Sequence, residues 1–421
     1  MLRTDRDEEL TDQTLEAGSA TRFGAQVSHA GVVFASVVVA AAAGAGTPLL
    51  SHYQRTWGFP VWELTAGFTI YAVTLLATIL IAGSLSDHVG RRAVLIAALA
   101  LMIVASVLFL VADNIGTVIL ARAIQGVATG AATSTFTAAI IELAPERHRR
   151  IMTVVTGSAP VAGLALGALA TGLMLDIVED PTTIVYSVLG AGFVVGLIAV
   201  LAARETAALS PGALASLRPR LAIPPAAKQW FVSLAPLVAA GWMFSGLFLG
   251  LAPSFDREVF GISDGALNGV IVALQPASAA VFSLLFSRIQ AEWSARAGAA
   301  LMLVGALLAI TGIVSGEIFV TALGAIVGGA GQGAGFGASL RILAPLVSNA
   351  HRGGLFSAVY FIAYTSYGLP VLAAGLASNL VALTPIVIAY GAVVAGFALW
   401  AVLSTAASSR RERRAVNRER S

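Results

Sequence analysis

The sequence contains no cysteine and only one lysine, Lys228, and it has few charged residues for its length. The missing cysteine excludes disulfide bonds, thiol catalysis and cysteine-ligated metal. Charged residues make up 11% of the 421 positions, whereas 57% are hydrophobic, and the mean hydropathy is +0.87. Because a soluble globule of this size needs more charge to cover its surface, the composition predicts a polytopic membrane protein.

Metal and nucleic-acid sites are also disfavoured by the sequence. None of the five histidines has a second histidine or a carboxylate at metal-ligand spacing, and all lie near the ends of hydrophobic runs: His29, His52, His88, His148 and His351. We therefore predict no metal centre and no cofactor. The basic residues are spread over many loops and a tail, a distribution that membrane topology explains better than nucleic-acid binding does.

Twelve hydrophobic runs long enough to cross a bilayer follow residue 28. They lie at about 30–51, 64–83, 93–112, 115–141, 153–174, 182–202, 231–254, 266–287, 297–316, 318–343, 355–380 and 383–405. The longest connection, residues 203–229, contains four prolines and divides the runs six and six. The sequence thus predicts an all-α membrane protein with twelve transmembrane helices in two six-helix halves, 29–202 and 230–406. The linker 203–229 joins them, a polar tail at 1–28 lacks the apolar core of a cleavable signal, and a basic tail occupies 407–421.

The distribution of arginine predicts the orientation. If the N-terminus is cytoplasmic, the external loops carry only Arg55 and Arg257 among basic residues. Those loops instead hold eight acidic side chains: Asp113, Asp176, Glu179, Asp180, Asp256, Glu258, Asp264 and Glu317. This asymmetry predicts a multi-pass protein of the cell membrane, inner or plasma, with both termini in the cytoplasm.

A weak internal repeat supports the division into two halves. An offset of 203 residues carries Gly126 onto Gly329, His148 onto His351 and Gly172 onto Gly375. Because one offset serves the fourth span, its loop and the fifth span together, the halves are predicted to be related, with a substrate site between them near the midplane.

A tight polar loop, G-S-L-S-D-H-V-G-R-R, lies between the second and third spans. Gly83 and Gly90 permit close backbone approach or unusual dihedral angles. Asp87 can accept hydrogen bonds at a helix N-terminus, and Arg91 with Arg92 can donate to the carbonyls that end a helix. We predict that this loop joins helix ends at the cytoplasmic face, and that in one conformation it exchanges hydrogen bonds with Glu142 as an inner gate.

The pattern G-x-L-x-D-x-x-G-R-R resembles the loop signature of the major facilitator superfamily. The fourth span adds R-x-x-Q-G-x-x-x-G-A, in which Arg122, Gln125, Gly126, Gly130 and Ala131 match a fourth-helix motif of that superfamily. The resemblance implies the major facilitator fold and, for Arg122, a role in proton coupling. The alternative is a structural arginine satisfied by backbone carbonyls and Gln125.

The fifth span carries Gly163, Gly167 and Gly172 in G-L-A-L-G-A-L-A-T-G. This is similar to the glycine and proline motif associated with antiporters, except that Ala168 stands where a proline usually follows the second glycine. The same glycines are equally expected from simple packing of small residues between helices.

Candidates for a substrate cavity come from polar and aromatic residues inside the spans. They are Trp242, Gln275, Gln332 and Tyr364, together with Arg122 and Gln125. No aspartate or glutamate stands in the middle of a predicted span. This favours a neutral, apolar or anionic substrate, with any coupling site at Arg122 or at Glu63, which begins the second span.

These features predict a secondary transporter that resembles bacterial drug and metabolite exporters, works as a monomer and moves a small, hydrophobic molecule in exchange for protons. A facilitator or importer of a neutral or anionic metabolite is the nearest alternative. A receptor that does not transport belongs to another class. An enzyme is disfavoured, because no clustered nucleophile or acid and base groups are available.

Overall fold

The computed structural model describes the backbone of residues 4–207, 210–217 and 221–420. It describes the side chains of residues 29–147, 152, 156, 158–207, 210–214, 216–217, 221–348 and 352–407. Predictions about the side chains of the tail 1–28, of His148 and His351, and of the basic tail beyond residue 407 lie outside these ranges. Within them the chain is helical and contains no strand.

Among the described residues, twelve helices are long and apolar enough to cross a membrane, as predicted. We number them in chain order: α1 (Thr4–Trp57), α2 (Val61–Ala82), α3 (Arg91–Leu110), α4 (Ile115–Leu143), α5 (Glu146–Ile177), α6 (Pro181–Ala202), α7 (Pro225–Phe260), α8 (Gly265–Phe286), α9 (Ala291–Ser315), α10 (Ile318–Leu343), α11 (Asn349–Ala377) and α12 (Leu383–Arg420). Short helices at Ser86–Val89 and Ala213–Ser216 lie in the connections after α2 and α6. The backbone of α1 begins in the predicted polar tail, and that of α12 continues past residue 406.

The seventh helix is longer than predicted. It passes through a π-helical turn at Leu247–Leu251 and continues as Ala252–Phe260, where Gly261 ends it with φ of 67°. The backbone N–H of Ile262 then donates to the carbonyl of Asp256. The prediction that Asp256 lies in an external loop is therefore wrong, because a left-handed glycine ends the helix five residues further on.

The most extensive packing between the halves is made by two pairs of helices, α5 with α8 and α2 with α11. At the α5–α8 crossing, a Cβ added to Gly172 would lie 2.5 Å from Cα of Gly269. The other glycines of the two motifs pack within the N-terminal half: Gly163 and Gly167 against α1, and Gly126 and Gly130 against α2. Their common property is close backbone approach, which small residues permit between membrane helices.

Candidate transport pathway

The two ends of the helix bundle differ in charge. We call the end with the Gly83–Arg92 loop the basic end. The other is the acidic end, where Asp113, Asp176, Asp180, Asp264 and Glu317 lie next to helix termini. Helices α1, α3, α5, α7, α9 and α11 run from the basic to the acidic end, and the others run back.

Hydrogen bonds between the halves close the centre of the bundle. The hydroxyl of Thr47 on α1 donates to the carbonyl of Leu249 in the π-helical turn of α7, at 2.8 Å. The hydroxyl of Thr69 on α2 donates to the carbonyl of Gly368 on α11, at 3.0 Å. The ring of Phe68 packs against Tyr367, with centroids 4.8 Å apart.

Further contacts at the acidic end continue this closure. Arg257 of α7 donates to Gln54 of α1 at 3.2 Å, and Arg55 donates to the carbonyl of Ser263 at 3.0 Å. The carboxylate of Asp176, at the end of α5, accepts from the first two backbone N–H groups of α8, those of Gly265 and Ala266, at 2.9 and 2.6 Å. A carboxylate at a helix N-terminus is favoured by the helix dipole. We call the central and acidic-end contacts together the acidic-end seal.

A cavity of about 150 Å³ lies on the other side of this seal. Its walls reach residues close to the basic end, such as Val33 on α1 and Ile140 on α4. Twenty-one residues line it: Val33, Ser36, Val37, Val39, Ala40, Ala43, Tyr71, Leu75, Thr129, Thr133, Phe136, Thr137, Ile140, Thr156, Ala159, Pro160, Val161, Leu164, Trp242, Tyr364 and Tyr367. Among these, no side chain is charged. The cavity thus offers aliphatic, aromatic and hydroxyl groups to a ligand.

The C-terminal half contributes an aromatic wall to this cavity. The Trp242 ring lies 4.8 Å from that of Tyr364 and 5.6 Å from that of Tyr367. The indole N–H of Trp242 is buried and has no hydrogen-bond partner among the described residues. Two predicted cavity residues, Trp242 and Tyr364, therefore line this cavity.

Arg122 lies beside the cavity but does not line it. Its side chain is 1% exposed, donates to the side chain of Gln125 at 2.6 Å, and makes a longer contact of 3.4 Å with the carbonyl of Gly67. Its Cζ stands 4.3 Å from the centre of the Tyr71 ring, which separates it from the cavity. No carboxylate among the described residues forms an ion pair with it. A buried guanidinium without a counterion is costly and keeps its position only through such contacts.

Gln275 and Gln332 do not line the cavity, contrary to the prediction. The Gln275 amide donates to the Gln332 side-chain oxygen at 2.5 Å, and the hydroxyl of Ser245 donates to the same oxygen at 2.8 Å. All three residues are buried between α7, α8 and α10. They satisfy one another inside the C-terminal half, which sequence spacing alone could not reveal. Glu63 stands at the first turn of α2, at the acidic end and away from the cavity.

The Gly83–Arg92 loop brings its charged residues together at the basic end. Arg91 forms an ion pair with Asp87 and contacts Glu142 at 3.4 Å. Arg92 donates to the carbonyl of Leu201, near the end of α6. Gly90 has φ of 103°, a conformation that favours glycine. The predicted gate residues are therefore neighbours in this conformation.

Glu205, which the sequence reasoning missed, caps the N-terminus of α3. Its carboxylate accepts from the backbone N–H groups of Arg91 and Arg92 at 2.9 and 3.0 Å. It also accepts from those of Thr206 and Ala207. Partial burial would raise the pKa of Glu205, but these backbone hydrogen bonds outweigh it and lower the pKa below its usual range. The role we predicted for Asp87 at a helix N-terminus thus belongs to Glu205. The only sequence signal was an acidic residue just after the sixth span.

In the part of the chain that the structure describes, twelve helices able to cross a membrane surround a central cavity that is sealed at one end, which is the architecture of a membrane transporter. A family model described as Major Facilitator Superfamily matches residues 32–315. The chain belongs to this superfamily.

One curated relative and two solved structures are similar to the chain. "Multidrug resistance protein MdtL" of Klebsiella pneumoniae (strain 342) is 26% identical over 145 residues, 34% of this chain and 36% of the relative. The aligned region thus spans about a third of that relative. Crystal structures of a POT family transporter, in complex with a thioalcohol conjugated peptide and with 5-aminolevulinic acid, each have a TM-score of 0.69. Each match covers 88% of this chain and 94% of the other, at 13% and 12% identity. The structural likeness concerns the fold alone.

Proposed function

We propose that the protein exports small, neutral, hydrophobic compounds across the cell membrane in exchange for protons. The observation that carries this proposal is the cavity without charged side chains between the seal and the basic end. Such walls favour ligands that lose little hydration on entry. The partial similarity to a protein named for multidrug resistance also supports the export of such compounds.

The orientation follows from charge. Positive residues favour the cytoplasmic side of membrane proteins, so the basic end and both termini are cytoplasmic in this proposal. The conformation described above then faces inward, with its seal on the external side. A substrate enters the cavity from the cytoplasm or the inner leaflet, and the two halves rock to expose it outside.

Arg122 is the proposed coupling residue. Arg122 is a fixed positive charge behind the Tyr71 ring. When a proton binds or leaves nearby, the free energy of keeping this charge buried changes, and this change couples the proton to the conformation. The alternative is a facilitator or importer that takes an anionic metabolite, with Arg122 as its counterion. This alternative needs the Tyr71 ring to move aside, since the ring separates Arg122 from the cavity.

The test uses purified protein in liposomes with a pH-sensitive dye inside. A proton gradient is imposed, and neutral, cationic and anionic hydrophobic compounds are added in turn. We expect proton movement with neutral compounds in the wild type and none in Arg122→Ala. Trp400→Ala is the matched control, because Trp400 is exposed on the outer surface of α12 and should leave the flux unchanged.

Each other outcome points to a different function. Movement of anions only, lost in Arg122→Ala, contradicts the proposal and favours the anion transporter. Equilibration of a labelled compound without proton movement indicates a facilitator. Binding without any turnover indicates a receptor.

A further inference from the structure

Asp256 is a buried carboxyl group that has no part in the transport cycle proposed above. It lies on α7 just beyond the π-helical turn, beside the residues that form the acidic-end seal, and it is 0% exposed. Its Oδ1 has no hydrogen-bond partner among the described residues. Its Oδ2 has one long contact, 3.5 Å, from the side-chain amide of Asn268 on α8.

Among the residues that the structure describes, none forms an ion pair with Asp256. Its neighbour Arg257 donates to Gln54, and Arg55 of α1 donates to the carbonyl of Ser263. The elements packed against this part of α7 carry these other titratable groups: His52 and Tyr53 on α1, Asp264 at the start of α8, Tyr390 on α12 and Glu258 on α7 itself. None forms an ion pair with Asp256, and the described part of α12 from Leu383 to Ala407 carries no charged side chain.

A carboxylate removed from water without donors or a counterion is strongly disfavoured relative to the neutral acid. We propose that Asp256 is a proton-binding site of the acidic-end seal, protonated when the seal is closed and ionised when the seal opens to water. Protonation adds one proton to the carboxylate, and opening returns it to the solvent at the acidic end. Because the closed state binds the proton more tightly, low pH favours the closed seal and high pH favours opening.

The proposal rests on the alternating access of the proposed function, but it does not depend on the substrate or on Arg122. It can therefore be tested without any transported compound. The missing cysteine makes the test clean, since introduced thiols are the only ones in the chain. Thr56 on α1 and Leu380 between α11 and α12 are exposed at the acidic end, one in each half.

Spin labels on Thr56→Cys and Leu380→Cys report the distance across the acidic end by double electron–electron resonance. In the otherwise wild-type protein, we expect the long-distance population to grow as the pH rises. In Asp256→Asn, whose side chain stays neutral, we expect the short distance at every pH. Asp264→Asn is the matched control, because asparagine also caps a helix and that carboxylate is exposed, and it should respond to pH as the wild type does.

A pH response in Asp256→Asn equal to that of the wild type overturns the proposal, and so does a wild-type distance that never changes with pH. Infrared spectroscopy with isotope-labelled aspartate gives a second test that needs no variant. At neutral pH the closed protein should show the carbonyl band of a protonated aspartate, and its absence also overturns the proposal. If the flux experiments fail while the pH response persists, the transport proposal is at fault and the proton site stands.

Discussion

Tyr71 lies between Arg122 and the cavity, with its ring centre 4.3 Å from the guanidinium carbon of Arg122 and its side chain in the cavity wall. Among the described side chains that line the cavity, only the Tyr71 ring makes a cation–π contact with Arg122. A substrate that touches Tyr71 can affect Arg122 without binding to it. The proposed substrate cavity and the proposed coupling site therefore share one side chain.

Removal of the ring should uncouple the two sites. A cation–π contact shielded from water contributes about 2 kcal/mol, so Tyr71→Leu should lower substrate-driven proton movement roughly 30-fold. Tyr71→Phe keeps the ring and should retain most of the coupling. The measurement is the ratio of protons to labelled substrate moved in liposomes. Equal ratios in Tyr71→Leu and Tyr71→Phe would count against the shared role.

The ion pair of Asp87 with Arg91 should matter for transport more than for stability. The Asp87 side chain is 53% exposed, and an ion pair at such a site contributes no more than about 1 kcal/mol. Asp87→Asn should therefore reach the membrane and unfold at nearly the wild-type temperature, while its transport is abolished. Wild-type flux in this variant would contradict the gating role of the loop.

Glu205 should stabilise the basic end in a pH-dependent way. Loss of a helix cap costs about 1 kcal/mol, so Glu205→Ala should unfold at a lower temperature. Folding lowers the pKa of Glu205. Its contribution to the stability of the wild-type protein is therefore fully present above the ordinary carboxyl pKa and is lost as the pH falls through the lowered pKa of the folded state. Thermal unfolding in detergent at several pH values measures both effects. Glu146→Ala is the control, because Glu146 is an exposed carboxylate in the first turn of α5. It should lower the unfolding temperature less than Glu205→Ala does.

The crossing of α5 and α8 should not tolerate a side chain. A Cβ at Gly172 would lie 2.5 Å from Cα of Gly269 and 2.7 Å from the carbonyl oxygen of Gly265, so Gly172→Ala should force the two halves apart at the acidic end. We expect lower stability of the closed seal and slower transport. Gly396→Ala on α12 is the control, since a Cβ there meets nothing within 4 Å and alanine favours a helix over glycine by about 1 kcal/mol. Label distances across the acidic end distinguish the two variants.

The sequence was sufficient to predict the twelve helices, because each span is a long apolar run. In lipid, the backbone N–H and C=O groups of such a run find hydrogen-bond partners within the segment only when it is helical. It also indicated the neighbours of the Gly83–Arg92 loop, since Glu142 ends the span that packs on the loop. It could not reveal Glu205, whose partners on α3 are more than a hundred positions away in the chain.

The buried polar groups of the C-terminal half escaped prediction for a related reason. Gln275 and Gln332 are placed by the packing of three helices, so their partners depend on rotations that hydropathy does not encode. Asp256 was misplaced because polar residues end an apolar run in sequence, whereas in the structure the π-helical turn and Gly261 carry the helix further.

The unpaired charge of Arg122 also has an electrical consequence. It lies roughly 10 Å from the start of α4 at the acidic end, at 1.5 Å per residue, and so it stands within the membrane field. A charge that crosses the whole field gains about 2.3 kcal/mol per 100 mV, and a rocking movement carries Arg122 through a fraction of it. In the proposed transport cycle, the membrane potential would therefore act directly on the conformational equilibrium, and the turnover of even an uncharged substrate should depend on voltage.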